Sequence, residues 1–329
     1  MRLTRFFIRR TLQGLLVVWG VITIVFLLRF ITPGNPIDFV APLDASPELR
    51  QSLAADLGLD KPLYVQYFEY VTSLVQGDMG YSFLRGQPAS DIIFRRLPAT
   101  LELAIASTVV AIVFSIPLGV ISATRRNEPV DYAATSFSLA GISTPNFWLG
   151  IMLILVVGVQ FELLPTSRRI IGFAPAVEML IFDQSTLGIR AWLEHIILPA
   201  VTLGTYFTAL IVRLTRSGML EELGKSYVES SRAKGLPETL VRYKHVLRNT
   251  MIPIITVLGL QLGTLIGGAV ITESVFSWPG LGTLVIDAIN QRDWPLIQGT
   301  IIIIGTGFVI INIFVDALYT YLNPQVEFE

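Results

Sequence analysis

Long uncharged runs, separated by short charged or proline-rich stretches, set the outline of this chain. Arg2, Arg5, Arg9 and Arg10 precede an uncharged run over residues 11–28. A helix of about 20 apolar residues crosses a bilayer, so the first span is placed at about 11–31. Residues 103–124 form a second run of 22 uncharged residues with Pro117 inside, and Arg125 and Arg126 close it. Residues 132–161 are uncharged over 30 positions and contain Pro145. That is long for one span, and the excess predicts a bent or interfacial entry. Further spans are expected at about 195–212, at 249–272, and within 294–315. The 170–182 stretch is apolar but too short to cross, and it contains Glu178.

Residues 32–98 have another character. Pro33, Pro36, Pro42 and Pro47 punctuate their start. Two short amphipathic helices are then predicted, over 46–57, ended by Gly58, and over 62–76. This is expected to be an external helical subdomain at the membrane surface. The segments 160–194 and 277–298 are read as further external loops, with Trp278 and Trp294 as interfacial anchors.

Between the fourth and fifth spans lies a charged island, 226–249, SYVESSRAKGLPETLVRYKHVLRN. Ser226 and Glu229, three residues apart, have the spacing of a capping box. The first helix is expected over 227–234. Gly235 suits the left-handed position that ends a helix, and Pro237 suits the first turn of a second. Such order favours a docking element over the alternative, a solvated connector that only returns the chain to the membrane.

Charge orients the chain. With the N-terminus inside, the cytoplasmic segments, about 56 residues, hold 14 Lys and Arg, and the external ones, about 124 residues, hold 9. The density is more than three times higher inside, as the positive-inside rule requires. Six spans with both termini cytoplasmic satisfy it. The mean hydropathy is +0.63, and only 15% of residues are charged, against about 25% in soluble domains. A net charge of −1 gives no basis for nucleic-acid binding. Zero cysteines exclude disulfides, a thiol nucleophile and a Cys-based metal site, and His195 and His245 lie far apart.

Several motifs resemble the permease subunits of binding-protein-dependent ABC importers. The family's loop pattern is Glu-Ala-Ala, three residues, Gly, nine residues, then Ile-x-Leu-Pro. Here Glu229, Ser230 and Ser231 hold the first three positions, Gly235 has the right spacing, and His245, Val246, Leu247 and Arg248 follow. Both alanines are serines and the last proline is absent. RAKGL at 232–236, HVLRNTMIP at 245–253 and TESVFSWPGLG at 272–282 are similar to the dipeptide, oligopeptide and nickel branch. So are DLGLDKP at 56–62, GDMGYS at 77–82 and LPATLELA at 97–104.

The resemblance covers nearly the whole chain. It implies an all-α integral membrane protein with six transmembrane helices, the type I importer permease fold, and an external helical subdomain after the first span. It divides the chain into 1–94, the first span with that subdomain; 95–322, the transmembrane domain with a coupling loop at 213–250; and 323–329, a cytoplasmic tail. It implies a bacterial cytoplasmic membrane, a second permease subunit in a heterodimer, two ABC ATPase subunits and an extracytoplasmic solute-binding protein. The coupling residues it implies are Ser226, Glu229, Ser230, Ser231, Ala233, Gly235, His245, Leu247 and Arg248, with Glu229 either docking or only capping. Dipeptides, longer peptides and nickel chelates stand as alternative solutes.

No phosphate-cradling glycine loop followed by Lys and Ser or Thr is present. ATP and Mg are therefore expected on the partner ATPases, with no cofactor on this chain. A secondary transporter commonly needs a midplane ionisable site, and no mid-span Asp, Glu or His pair appears. An intramembrane hydrolase needs a nucleophile turn or helix-spaced histidines, and neither appears. Inside the membrane, Gln261, Thr264, Gly267, Gly268 and Glu273 are candidates for lining a pathway, with Gly259 and Gly263 among them. Close helix packing is the alternative reading of these small residues. Glu273 is read as an interfacial carboxylate near water, or one facing the pathway. Glu102, Arg29 and Asp316 are explained by snorkelling.

Because the chain holds no cysteine, single thiols report sidedness. Asp60→Cys is expected to react with a membrane-impermeant reagent on intact cells, and Ser230→Cys only after permeabilisation. The reverse pattern overturns the orientation.

Overall fold

In hydrocarbon a backbone must bond its own N–H and C=O groups, so apolar runs become helices. The computed structural model of the chain describes residues 2–31, 37, 46–56 and 58–322; for residues 2–6, 56, 266–268 and 318–322 it describes the backbone alone. The prolines expected to open the external segment at 33, 36 and 42, and the tail at 323–329, lie outside the described residues.

Helix α1 spans Arg2–Ile31, α2 Pro47–Asp56 and α3 Leu63–Val75. The two short helices fall where the amphipathic pattern puts them, and Gly58 follows α2 with φ +64. A two-stranded antiparallel hairpin comes next, β1 Tyr81–Ser82 and β2 Gln87–Pro88. Helix α4, Ala89–Thr124, then runs 36 residues through Pro98 and Pro117. It begins well before the uncharged run.

Helix α5, Pro129–Ser143, and α6, Asn146–Leu153, continue as a π-helical stretch over Ile154–Gln160. The pair is bent by 107°. The cause is local: Thr144 precedes Pro145, and the proline ring disfavours the helical region there. Thr144 accordingly sits at φ −85, ψ 124. Helix α7 is Phe173–Phe182, α8 Leu187–Leu223 and α9 Ser226–Ala233. A π-helical stretch at Leu240–Val246 leads into α10, Leu247–Gly268; α11 is Val270–Val275, α12 Leu281–Gln291 and α13 Trp294–Leu322. Among the described residues, five helices are long and apolar enough to cross a membrane, and the bent pair makes six if it counts as one.

Helices α4 and α8 pack along their lengths at the centre. Between them lie Leu103, Ala104, Ala111, Ile196, Ala200, Leu203, Phe207 and Ile211, with Ile254 and Leu258 of α10 against them. Small residues let the backbones approach. A Cβ on Gly204 would sit 2.8 Å from the Ser107 carbonyl oxygen, and one on Gly119 would sit 2.5 Å from Thr215 Cβ. Helix α13 packs on α10, where a Cβ on Gly259 would come within 2.1 Å of Val315. Packing therefore accounts for Gly259, and for Gly263 against Phe308. Helix α1 lies outermost, on α13, with Leu12, Leu16, Trp19 and Ile24 exposed as lipid contacts require.

One anchor was misjudged by the sequence pattern. Trp278 is 1% exposed and donates its indole N–H to the Ala99 carbonyl at 2.8 Å. A buried indole needs such a partner, and this one ties the loop before α12 to α4.

Gly259→Leu is expected to lower the thermal midpoint of the detergent-solubilised protein, since overpacking costs about 1–3 kcal/mol. Val315→Ala in the same chain is expected to restore most of the loss, because the two positions face each other.

Candidate functional site

The island folds into α9, a glycine turn and the start of the helix that becomes α10. Its N-terminus differs from expectation. Lys225, at φ −82 and ψ 149, is the N-cap, and no side chain caps the helix. Ser226 is thus the first helical residue. Glu229 stands a position too far along to reach back to the cap, and the capping box does not form. Lys225 is instead held by Glu222 through its ammonium group, which raises the lysine pKa above its usual value. Ser230 and Ser231 turn their hydroxyls onto their own helix, to Ser226 O at 3.0 Å and Tyr227 O at 2.7 Å.

The C-terminus is as expected. Gly235 has φ +76. Its N–H bonds the Arg232 carbonyl at 2.9 Å, and Leu236 N–H bonds the Ser231 carbonyl at 3.3 Å. These two bonds define a Schellman ending. Across the turn, Glu238 accepts from Arg232 at 2.7 Å and from Arg242 at 3.0 Å. Both guanidiniums hold its carboxyl below the usual range, the Arg232 hydrogen bond most strongly. Pro237 precedes the next helix, and its carbonyl accepts from Leu240 and Val241. The second helix of the island is not separate: it runs through the π-helical stretch into the fifth span.

One face of α9 is fastened to the bundle. Val228 is fully buried in a cluster with Val120 and Ala123 of α4, Met219 of α8, and Val241 and Val246. Leu247 packs against the same cluster. Tyr227 donates to Glu222 at 2.7 Å, and Asn249 donates to the Tyr227 oxygen at 3.2 Å. The helix is thus bonded to the end of α8 and the start of α10.

The opposite face is open. Ser226, Glu229, Ser230 and Ala233 are all exposed. Their spacing, i, i+3, i+4 and i+7, puts them on one stripe. Ser231 is half-buried beside it. His245 is half-buried in the π-helical stretch and Arg248 is exposed on α10. No hydrogen bond joins either to α9 among the described residues.

The candidates of the fifth span separate. Thr264 donates to the Gln261 carbonyl at 2.8 Å and its Oε1 lies 3.1 Å from the hydroxyl, so the two serve each other. Gly267 and Gly268 end α10, and their surroundings lie outside the described side chains. Glu273 is not near water. It is fully buried and accepts from Thr100 Oγ1 at 2.7 Å and from Thr283 N–H at 3.0 Å. Thr100 in turn accepts from Leu281 N–H at 2.8 Å. A Cβ on Gly280 would come within 2.0 Å of the Glu273 carboxylate. The segment 272–282, from the end of α11 to the start of α12, wraps round one buried carboxylate.

Two structural knots escaped the sequence reading. Glu102 does not snorkel. It accepts from Arg169 at 2.7 and 3.0 Å, from Phe173 N–H at 2.9 Å and from Trp192 Nε1 at 3.2 Å. Asp131 takes both arms of Arg216, at 2.7 and 2.9 Å, with Asn127 N–H at 2.9 Å and the Ser122 hydroxyl. The Glu102 partners lie 67 to 90 residues away and Arg216 lies 85 from Asp131, and no spacing rule reaches that far. Asp316 likewise pairs with Arg10 at 3.0 Å.

Helix α9 is thus presented on the ends of α4, α8 and α10. The chain matches the family described as "Binding-protein-dependent transport system inner membrane component" over residues 115–328, and that component's N-terminal region over residues 3–104. The chain belongs to this family. It is 40% identical over 320 residues to the dipeptide transport system permease protein DppB of Escherichia coli K12, covering 94% of each chain. The oligopeptide transport system permease protein AppB of Bacillus subtilis 168 is 39% identical over 325 residues, 98% of this chain and 99% of that one. The glutathione transport system permease protein GsiC of Escherichia coli O6:H1 is 38% identical over 322 residues, 98% of each. The chain is a multi-pass inner-membrane permease subunit of an ABC importer, without catalytic function of its own, and it works with an ATPase and a binding protein.

Glu273→Ala removes both acceptors inside the 272–282 segment. Each buried donor left unsatisfied costs about 1–3 kcal/mol. Glu273→Gln keeps one acceptor and presents an NH₂ where the other stood. Thermal midpoints are therefore expected in the order wild type, Glu273→Gln, Glu273→Ala.

Proposed function

We propose that this permease imports di- or oligopeptides, and that α9 is the lever through which ATPase motion reaches the spans. The carrying observation is the two-faced build of α9: an exposed stripe of Ser226, Glu229, Ser230 and Ala233, backed by Val228 in a cluster that joins α4, α8 and the start of α10. A partner that seats the stripe moves three spans with it. Alternating access then follows as rigid-body motion. ATP and Mg belong to two partner ATPases. A second, different permease completes the passage.

The basic-residue count puts the α9 end in the cytoplasm together with both termini. The opposite end, with α2, α3, the β-hairpin, α7 and α12, is then external and receives the binding protein. Peptide is the solute class favoured by the relatives named for dipeptide, oligopeptide and glutathione transport. Gln261 and Thr264, half-buried and exposed on α10, are retained as pathway candidates, with Gly267 and Gly268 beyond them.

Glu229→Lys reverses charge on the stripe, near a helix N-terminus where a carboxylate is favoured. Gly235→Pro replaces φ +76 with a ring locked near −65°. Each is expected to cost about 1–3 kcal/mol locally and to uncouple ATP hydrolysis from peptide uptake, or release the ATPase, while the spans stay inserted. Ser231→Ala, on the flank of the stripe, is expected to be tolerated. Reconstituted complex reports this through uptake, ATPase activity and copurification. Full coupled uptake in both disruptive variants would remove α9 from the role.

A further inference from the structure

At the end of the bundle opposite α9, four arginines border one cavity of about 380 Å³. Arg85 comes from the hairpin loop, Arg95 and Arg96 from the early turns of α4, and Arg169 from the segment before α7. Ile92 and Pro279 add an apolar wall. The charges are not balanced within the site. Arg169 is neutralised by Glu102. Arg95 donates only to the neutral Gln87. Among the described residues, Arg85 and Arg96 have no carboxylate within ion-pair range, and Glu273 acts on Arg96 only through space. A concave surface lined by one sign of charge concentrates counter-ions. The guanidinium fork matches a carboxylate with two parallel hydrogen bonds.

We propose that this cavity binds the carboxylate end of a small solute of dipeptide size, before it enters the passage. The volume of about 380 Å³ lies in the range of small-molecule pockets, about 300–1,000 Å³. Arg85 and Arg96 hold the carboxylate, and the Ile92–Pro279 wall receives an apolar side chain. The site sits among three segments distant in sequence, so it exists only in the folded external face. The proposal rests on the import reading above for its solute and its side of the membrane.

The test uses the full importer complex in nanodiscs of neutral phosphatidylcholine, without binding protein. Gln87→Cys places a thiol in the cavity wall of a chain that has no other cysteine, and its alkylation by a neutral maleimide is followed on this subunit. Alanyl-alanine is expected to slow alkylation by the factor 1 + [L]/Kd, about tenfold at about nine times Kd. Alanyl-alanine amide, which lacks the carboxylate, is expected to give no protection, and inorganic phosphate less than the dipeptide. Protection is expected to vanish in Arg85→Ala/Arg96→Ala and to survive in part in Arg96→Lys. An Asp60→Cys thiol is expected to react at one rate throughout. The complex with the unsubstituted chain supplies a second readout, a thermal midpoint raised by the dipeptide and not by its amide. Equal effects of dipeptide and amide, of dipeptide and phosphate, or of dipeptide on wild type and the double alanine variant would overturn the assignment. Peptide uptake with binding protein present is scored separately. Protection without uptake would reject the import reading alone, and uptake without protection would reject this site alone.

Discussion

The close seam between α4 and α8 is the constraint on which the rest depends. At 36 and 37 residues, each helix is about 54 Å long, against a hydrocarbon core of about 30 Å. Both therefore project from the membrane. The seam is held at close range by Gly204 and Gly119, whose missing side chains leave room for the backbone at Ser107 and for Thr215. Several of the elements that are not spans are built on its projecting ends, while α3 packs on α1 through Tyr67 and Phe26. At one end Val120, Ala123 and Met219 bury Val228 of α9. At the other, Thr100 and Ala99 of α4 hold Glu273 and Trp278, and Glu102 holds Arg169 and Trp192. A tilt of the pair moves both ends together. That is the mechanical requirement of a subunit that senses a binding protein on one side and an ATPase on the other.

Much of this was legible from the residues, for physical reasons. Spans follow from uncharged length, and the bend at Thr144–Pro145 follows from what a proline does to the residue before it. The turn after α9 follows from Gly235, because only a left-handed residue closes a Schellman ending cheaply. The exposed stripe also follows, since its members are polar or small at helical spacing while Val228 is not. What the pattern missed is polar and long-range. Glu102, Asp131 and Glu273 sit at the edges of uncharged runs, where an isolated charge reads as interfacial. Each in fact takes at least one donor brought from 67 to 173 residues away. The capping box failed for a local reason. Ser226 and Glu229 have the right spacing, but Lys225 holds the extended N-cap position and leaves Ser226 one residue inside the helix.

The two ends share one device and differ in another. Each carries a carboxylate enclosed by donors, Asp131 at the α9 end and Glu102 and Glu273 at the other. The α9 end adds an apolar plug around Val228 and an exposed, modestly charged stripe. The other end adds a cavity bordered by Arg85, Arg95, Arg96 and Arg169.

The central claim is that α9 moves as one body with the ends of α4 and α8. Distance measurement between spin labels at Arg125→Cys, where α4 ends, and Ser230→Cys, on the open stripe, tests it most directly in the assembled importer. The account predicts one narrow distance, unchanged between the nucleotide-free and ATP-bound complex, while labels at position 230 and on the partner permease move relative to each other. A distance between 125 and 230 that shifts by several ångströms on ATP binding would contradict it, because α9 would then move without the spans.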